Sequence, residues 1–206
     1  VKARAYGEEI DETFHREYEH GDRLRLETDG AEFVRLALAE TLAPSVVYLP
    51  DGVFEFEIPF DRERTACYAP GTFDGADHRV RAWELSDAEI YGERLISLNS
   101  HDRHNVAKYF PHAVANFVTR EDPCFFERNA IDGITENTGH GNYPYHSWGG
   151  GLREDLEYEV DFGREVEVSH VTIYLRADFP HDTYWKEAAL EFSDKSRIPL
   201  TLLGTK

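Results

Sequence analysis

Charged and apolar residues alternate along much of the chain, and strict alternation places one face of a strand in a core and the other in water. Arg23-Leu24-Arg25-Leu26-Glu27 is the cleanest early example, and Phe33-Val34-Arg35-Leu36-Ala37-Leu38 repeats it less strictly. Ser45-Val46-Val47-Tyr48-Leu49 follows, then Pro50-Asp51-Gly52, then Val53-Phe54-Glu55-Phe56-Glu57-Ile58. Pro presets φ and Gly accepts positive φ, so this stretch reads as a β-hairpin ended by Pro59. Residues 61–80 carry turn chemistry and read as a loop region. Ser86 and Glu89 have capping-box spacing and predict a short helix.

Residues 99–120 open with a strongly polar run, Asn99 to Asn105, and read as a linker or as the first turn of a second module. Alternation then resumes in Asp155 to Gly163, Val166 to Val168, His170 to Leu175, Leu190 to Ser193 and Ile198 to Leu202, with Asp194-Lys195-Ser196 as a turn. No long amphipathic helix and no fixed-period repeat is visible. Many short strands separated by Gly and Pro turns predict an all-β protein. A smaller β-rich domain would occupy 1–95 and a β-sandwich 96–206.

The second half resembles the discoidin, or coagulation factor 5/8 type C, family of galactose-binding-like domains. Asn129-Ala130-Ile131-Asp132-Gly133 is similar to that family's A-x-D-G opening. Trp148, the strand Leu156 to Gly163, the pattern Val168 to Leu175 and the strand Leu190 to Ser196 follow in the family's order. The resemblance covers roughly 112–202, with Lys195 where the family has Gly. It implies a jelly-roll β-sandwich, carbohydrate binding and an extracellular setting. It also implies a structural calcium ion near the D-G element, with Asp132 as the matching ligand and Thr138 among the residues that would add oxygens. The first half resembles no family.

Composition narrows the partners. The charged fraction is 30% and the hydrophobic fraction 41%, which is ordinary for a folded domain. A formal net charge of −18 argues against nucleic acid and anionic membrane surfaces, which need clustered Lys and Arg. No apolar run of about 18 residues predicts a membrane span. Val1 opens no signal-peptide pattern and the chain has no Met, so its start reads as processed or trimmed. Cys67 and Cys124 stand outside any metal spacing, and one disulfide or two free thiols both stay open.

Aromatics reach 13%, and they concentrate in two polar loops. The first is Asn137 to Gly151, with Tyr143, Tyr145, His146 and Trp148. The second is Arg176 to Lys186, with Arg176, His181, Asp182, Tyr184 and Trp185. A pyranose packs its C–H face on a ring while His, Asp, Asn and Arg bond its hydroxyls, so these loops suit a sugar. Core packing of Trp148 and the tyrosines is the competing reading. No GxSxG, P-loop, GxGxxG or HExxH occurs, so neither an enzyme nor a catalytic transition metal is expected despite ten histidines. The expected function is non-catalytic carbohydrate binding. Two alternatives stay open: a carbohydrate-active hydrolase, with Asp178 and Asp182 as its acids, and a protein–protein adhesion module.

Overall fold

The computed structural model describes residues 9–30, 32–176, 179 and 184–202. They are mostly β, with ten strands and two short helices plus three single 3-10 turns. They divide into two compact units: residues 1–134 with 141–167, and residues 135–140 with 168–206.

In the first unit, β1 (Glu9–His15), β6 (Asp77–Glu84), β3 (Glu32–Ala37) and β4 (Ser45–Leu49) form an antiparallel sheet in that order. β2 (Arg23–Glu27) pairs with β5 (Val53–Glu57). β7 (His112–Ala115) pairs with β8 (Tyr158–Asp161). The apolar faces of β2 to β6 feed one core cluster, where Leu36, Val47, Leu49, Phe54 and Phe56 are almost fully buried. Each such side chain contributes about 1.5–3 kcal/mol by leaving water. Tyr109, Val118, Cys124, Phe125 and Phe126 belong to the same cluster.

The expected hairpin does not form. Both its strands exist, but β4 pairs with β3 and β5 pairs with β2. The cause lies on the outer faces. Arg23 and Arg25 of β2 stand directly opposite Glu57 and Glu55 of β5. They bond them at 2.8 Å (Arg23 Nη2 to Glu57 Oε2) and 3.2 Å (Arg25 Nη1 to Glu55 Oε2). β4 has no charge to offer β5, while opposite-charge pairs across a ladder stabilise it. The turn at 50–52 therefore passes the chain between sheets. Gly52 (φ +66°) makes this possible, since a Cβ there would lie 2.5 Å from Gly30 O.

Residues 61–80 differ from the loop expected there. They hold α1 (Asp61–Cys67) and the start of β6, whose Arg79 forks onto Asp11 of β1 at 2.8 and 2.5 Å. The capped helix is present as α2 (Asp87–Tyr91). Ser86 N–H and hydroxyl donate to Glu89 Oε2 at 3.0 and 2.8 Å, and Arg35 of β3 reaches Glu89 Oε1 at 2.9 Å. Cys67 and Cys124 are two free, buried thiols.

The second unit contains β9 (Glu187–Glu191) and β10 (Arg197–Thr201), an antiparallel hairpin. Its turn sits where expected: Asp194 Oδ1 accepts from Ser196 N–H at 2.8 Å, and Lys195 takes φ +72°. The strands expected at 166–168 and 170–175 make no ladder among the described residues. Val171, Ile173 and Tyr174 are exposed there. Alternation supplies a strand-like pattern, but a strand also needs a partner to satisfy its backbone. No described helix is long and apolar enough to cross a membrane.

Candidate functional site

The loop carrying Tyr143, Tyr145, His146 and Trp148 is pinned by its own backbone. Tyr143 N–H donates to Ala66 O of α1 at 2.8 Å, and Tyr145 N–H to Asn142 O at 2.9 Å. Ser147 and Gly149 N–H donate to Cys124 O and Phe125 O at 3.0 and 3.1 Å. Thr119 closes the far end on Gly149 O through its N–H and hydroxyl at 2.8 and 2.6 Å. The loop is thus a fixed platform over α1 and the turns at Pro123–Phe125 and Glu127–Ala130.

Its side chains part company. Tyr145 is 37% exposed. Tyr143 is half-buried and stacks on His146, ring centres 5.5 Å apart. His146 is buried, and its Nε2 lies 2.5 Å from Asp132 Oδ2. Trp148 is half-buried, donates its indole N–H to Phe117 O at 3.0 Å and tilts against Tyr158. Asn142 of this loop meets a polar set that the loop reading missed. Arg62 of α1 donates to Asn142 Oδ1 at 2.5 Å and to Asp122 Oδ1 at 2.9 Å.

The second loop falls in the other unit. Tyr184 and Trp185 are each 38% exposed, and Arg176 is half-buried. His181, Asp182 and Asp178 lie outside the described residues. Asp132 and Thr138 belong to different units. Asp132 Oδ1 accepts from Ile134 N–H at 2.9 Å while Oδ2 faces His146, with Arg128 Nη1 at 3.9 Å. Thr138 bonds Glu136 Oε1 at 2.7 Å.

Sequence reasoning missed a buried polar hub. The run read as a linker or the first turn of a second module, Asn99 to Asn105, has Asn99, Ser100, His101 and Asp102 at 2% exposure or less. Arg128, 1% exposed, ties it together. Its Nε donates to Asp102 O at 2.7 Å, its Nη2 to Ser100 O at 3.0 Å and its Nη1 to Asn129 Oδ1 at 3.2 Å, and it lies over the Tyr68 ring. Three carboxylate–histidine pairs surround it: Asp102–His112 at 2.8 Å, Glu127–His104 at 2.7 Å and Asp132–His146 at 2.5 Å.

Electrostatics follow from that packing. Burial and Arg128 push His101 down to about 3, so its ring is neutral. That agrees with Nε2 accepting from Leu38 N–H at 3.3 Å. Burial opposes a charge on His112, but the Asp102 carboxylate outweighs it and holds His112 above its ordinary value. Burial outweighs His112 at Asp102, which is raised. Burial likewise works against ionised Glu127, yet the bond to His104 leaves it below the ordinary carboxylate value.

Carboxylate–histidine pairs serve as acid–base dyads only where substrate can reach them. Asp102, His112, Asp132 and His146 are each 5% exposed or less, so in this arrangement they hold the fold. Among the described residues, no three His, Cys, Asp or Glu side chains converge as a metal site. The residue signal for the hub was present in the histidines and acids scattered between 99 and 146, but a polar run does not announce its own burial. Comparison with protein-family models, curated proteins and solved structures finds no match to this chain, so its site is read from its own geometry.

Proposed function

We propose that the chain is a non-catalytic carbohydrate-binding protein whose residues 96–206 build galactose-binding-like sandwich architecture after a smaller β-rich part. One observation carries this reading: an exposed Tyr145 ring on a backbone-pinned loop whose Asn142 is joined through Arg62 of α1 to Asp122 in a hydrogen-bonding row. A rigid ring offers a flat apolar face at little entropic cost, and fixed polar groups beside it orient hydroxyls. Tyr184 and Trp185 present faces of the same kind in the other unit. His146 and Trp148 support the loop in this reading and do not touch sugar, because one is sealed against Asp132 and the other packs on Tyr158. Calcium is left out of the proposal, since the Asp132 oxygens already have a backbone N–H and a histidine as partners.

Calorimetric titration with neutral mono- and oligosaccharides tests it. Tyr145→Ala should weaken binding roughly tenfold or more while leaving the melting temperature near the parent's, as for an exposed anchor. Absence of binding across a broad glycan panel, or equal binding by Tyr145→Ala, contradicts it.

A further inference from the structure

A shallow hollow in the first unit has the opposite chemistry from the rest of this acidic chain. It lies on the outer face of β3 and β4, where Phe33 and Tyr48 stand opposite each other with ring centres 4.9 Å apart. Tyr48 exchanges backbone hydrogen bonds with Phe110 at 2.7 and 3.0 Å, bringing that ring alongside. The chain leaving β8 then turns over Phe110. Gly163 (φ +64°) permits this, because a Cβ there would lie 2.4 Å from the Phe110 ring. The turn sets Arg164 on the Phe33 ring at 4.9 Å. Arg94 completes the lining, and no carboxylate lines the hollow among the described residues.

Arg94 is the anomaly. Its Nε is buried and has no hydrogen-bond partner among the described residues. Burial disfavours its charge, and the charged neighbours acting on it are the guanidinium groups of Arg164 and Arg35. Arg35 is already paired with Glu89, at 2.9 Å. A buried donor left unpaired costs about 1–3 kcal/mol, and like charges add to that. In a chain of net charge −18, carboxylates to neutralise this arginine are abundant, yet none is placed there.

We propose that this hollow binds a small molecule bearing a carboxylate on a flat ring, with one oxygen seated between Arg94 and Arg164 and the ring lying against Phe33 and Tyr48. The hollow is open on one side, and its volume of about 10 Å3 admits one water-sized group, so only a carboxylate oxygen enters and the ring stays at the rim. Arginine's planar fork matches a carboxylate, and aromatic walls match a flat body.

Benzoate and uncharged benzyl alcohol are titrated calorimetrically, at low salt, into the full chain and into Arg94→Met and Arg164→Gln. Binding of benzoate, with benzyl alcohol at least roughly tenfold weaker, supports the proposal. Both variants should weaken the acid roughly tenfold or more, and Arg94→Met should melt no lower than the parent. Loss of stability in Arg94→Met, acid binding unchanged in both variants, or no acid binding by the parent overturns it. The neutral-sugar titration at Tyr145 is separate, so either site can fail without the other.

Discussion

Arg128 is buried and Arg94 is half-buried with a buried Nε, and the first unit treats them oppositely. Arg128 has two backbone carbonyls, Asn129, Asp132 and the Tyr68 ring around it. Arg94 has two other arginines and an unpaired Nε. A fold that surrounds one guanidinium with five partners has the means to satisfy the buried Nε of another. The difference teaches that the hub is built for stability, while the hollow tolerates a local cost that a ligand can relieve. Stability and function commonly part in this way.

The largest effect should come from breaking the satisfied side. Arg128→Met leaves the Ser100 and Asp102 carbonyls without their donor and takes the cation away from Asp132, and breaking a buried charged set costs about 3–5 kcal/mol. Urea denaturation should show a midpoint far below the parent's, or no cooperative transition. A smaller effect is a pH dependence set by His101. Its folded-state value is lowered to about 3, so the stability it brings is present above the ordinary histidine value and is lost as pH falls toward 3. Each pH unit in that window removes about 1.4 kcal/mol for one proton. His101→Gln should flatten the parent's decline between pH 6 and pH 4 by about one proton's slope, measured by denaturation across that range. Ser86→Ala removes one donor to the Glu89 carboxylate and should cost about 1 kcal/mol. Arg94→Met should cost nothing, or raise stability by about 1 kcal/mol.

The same contrast explains what could be read from the sequence. β2 and β5 were legible because each alternates a charged face with an apolar one. Their pairing was not, because alternation fixes which face is buried and leaves the partner open; the Arg23–Glu57 and Arg25–Glu55 register decides it. β6 was hidden because Asp77 to Glu84 follows closely on turn residues and begins within them. The capping box at Ser86 was legible since its chemistry is local. Loop composition suggested Tyr145, His146 and Trp148 alike; Tyr145 is exposed, whereas His146 and Trp148 turned inward for partners far away in sequence, Asp132 and Phe117. The hub escaped because Asn99 to Asn105 looks solvated until Arg128 packs beneath it. Arg94 escaped for a related reason: a lone arginine in a chain rich in acid reads as paired, and only the geometry leaves it without a carboxylate.

The most direct measurement is urea denaturation of Arg128→Met and Arg94→Met beside the parent in one buffer without added carboxylic acid. The two variants should move in opposite directions, with a steep loss at Arg128 and no loss or a gain at Arg94. A comparable loss in both would mean that Arg94 also supports the fold, and the contrast between hub and hollow would fall.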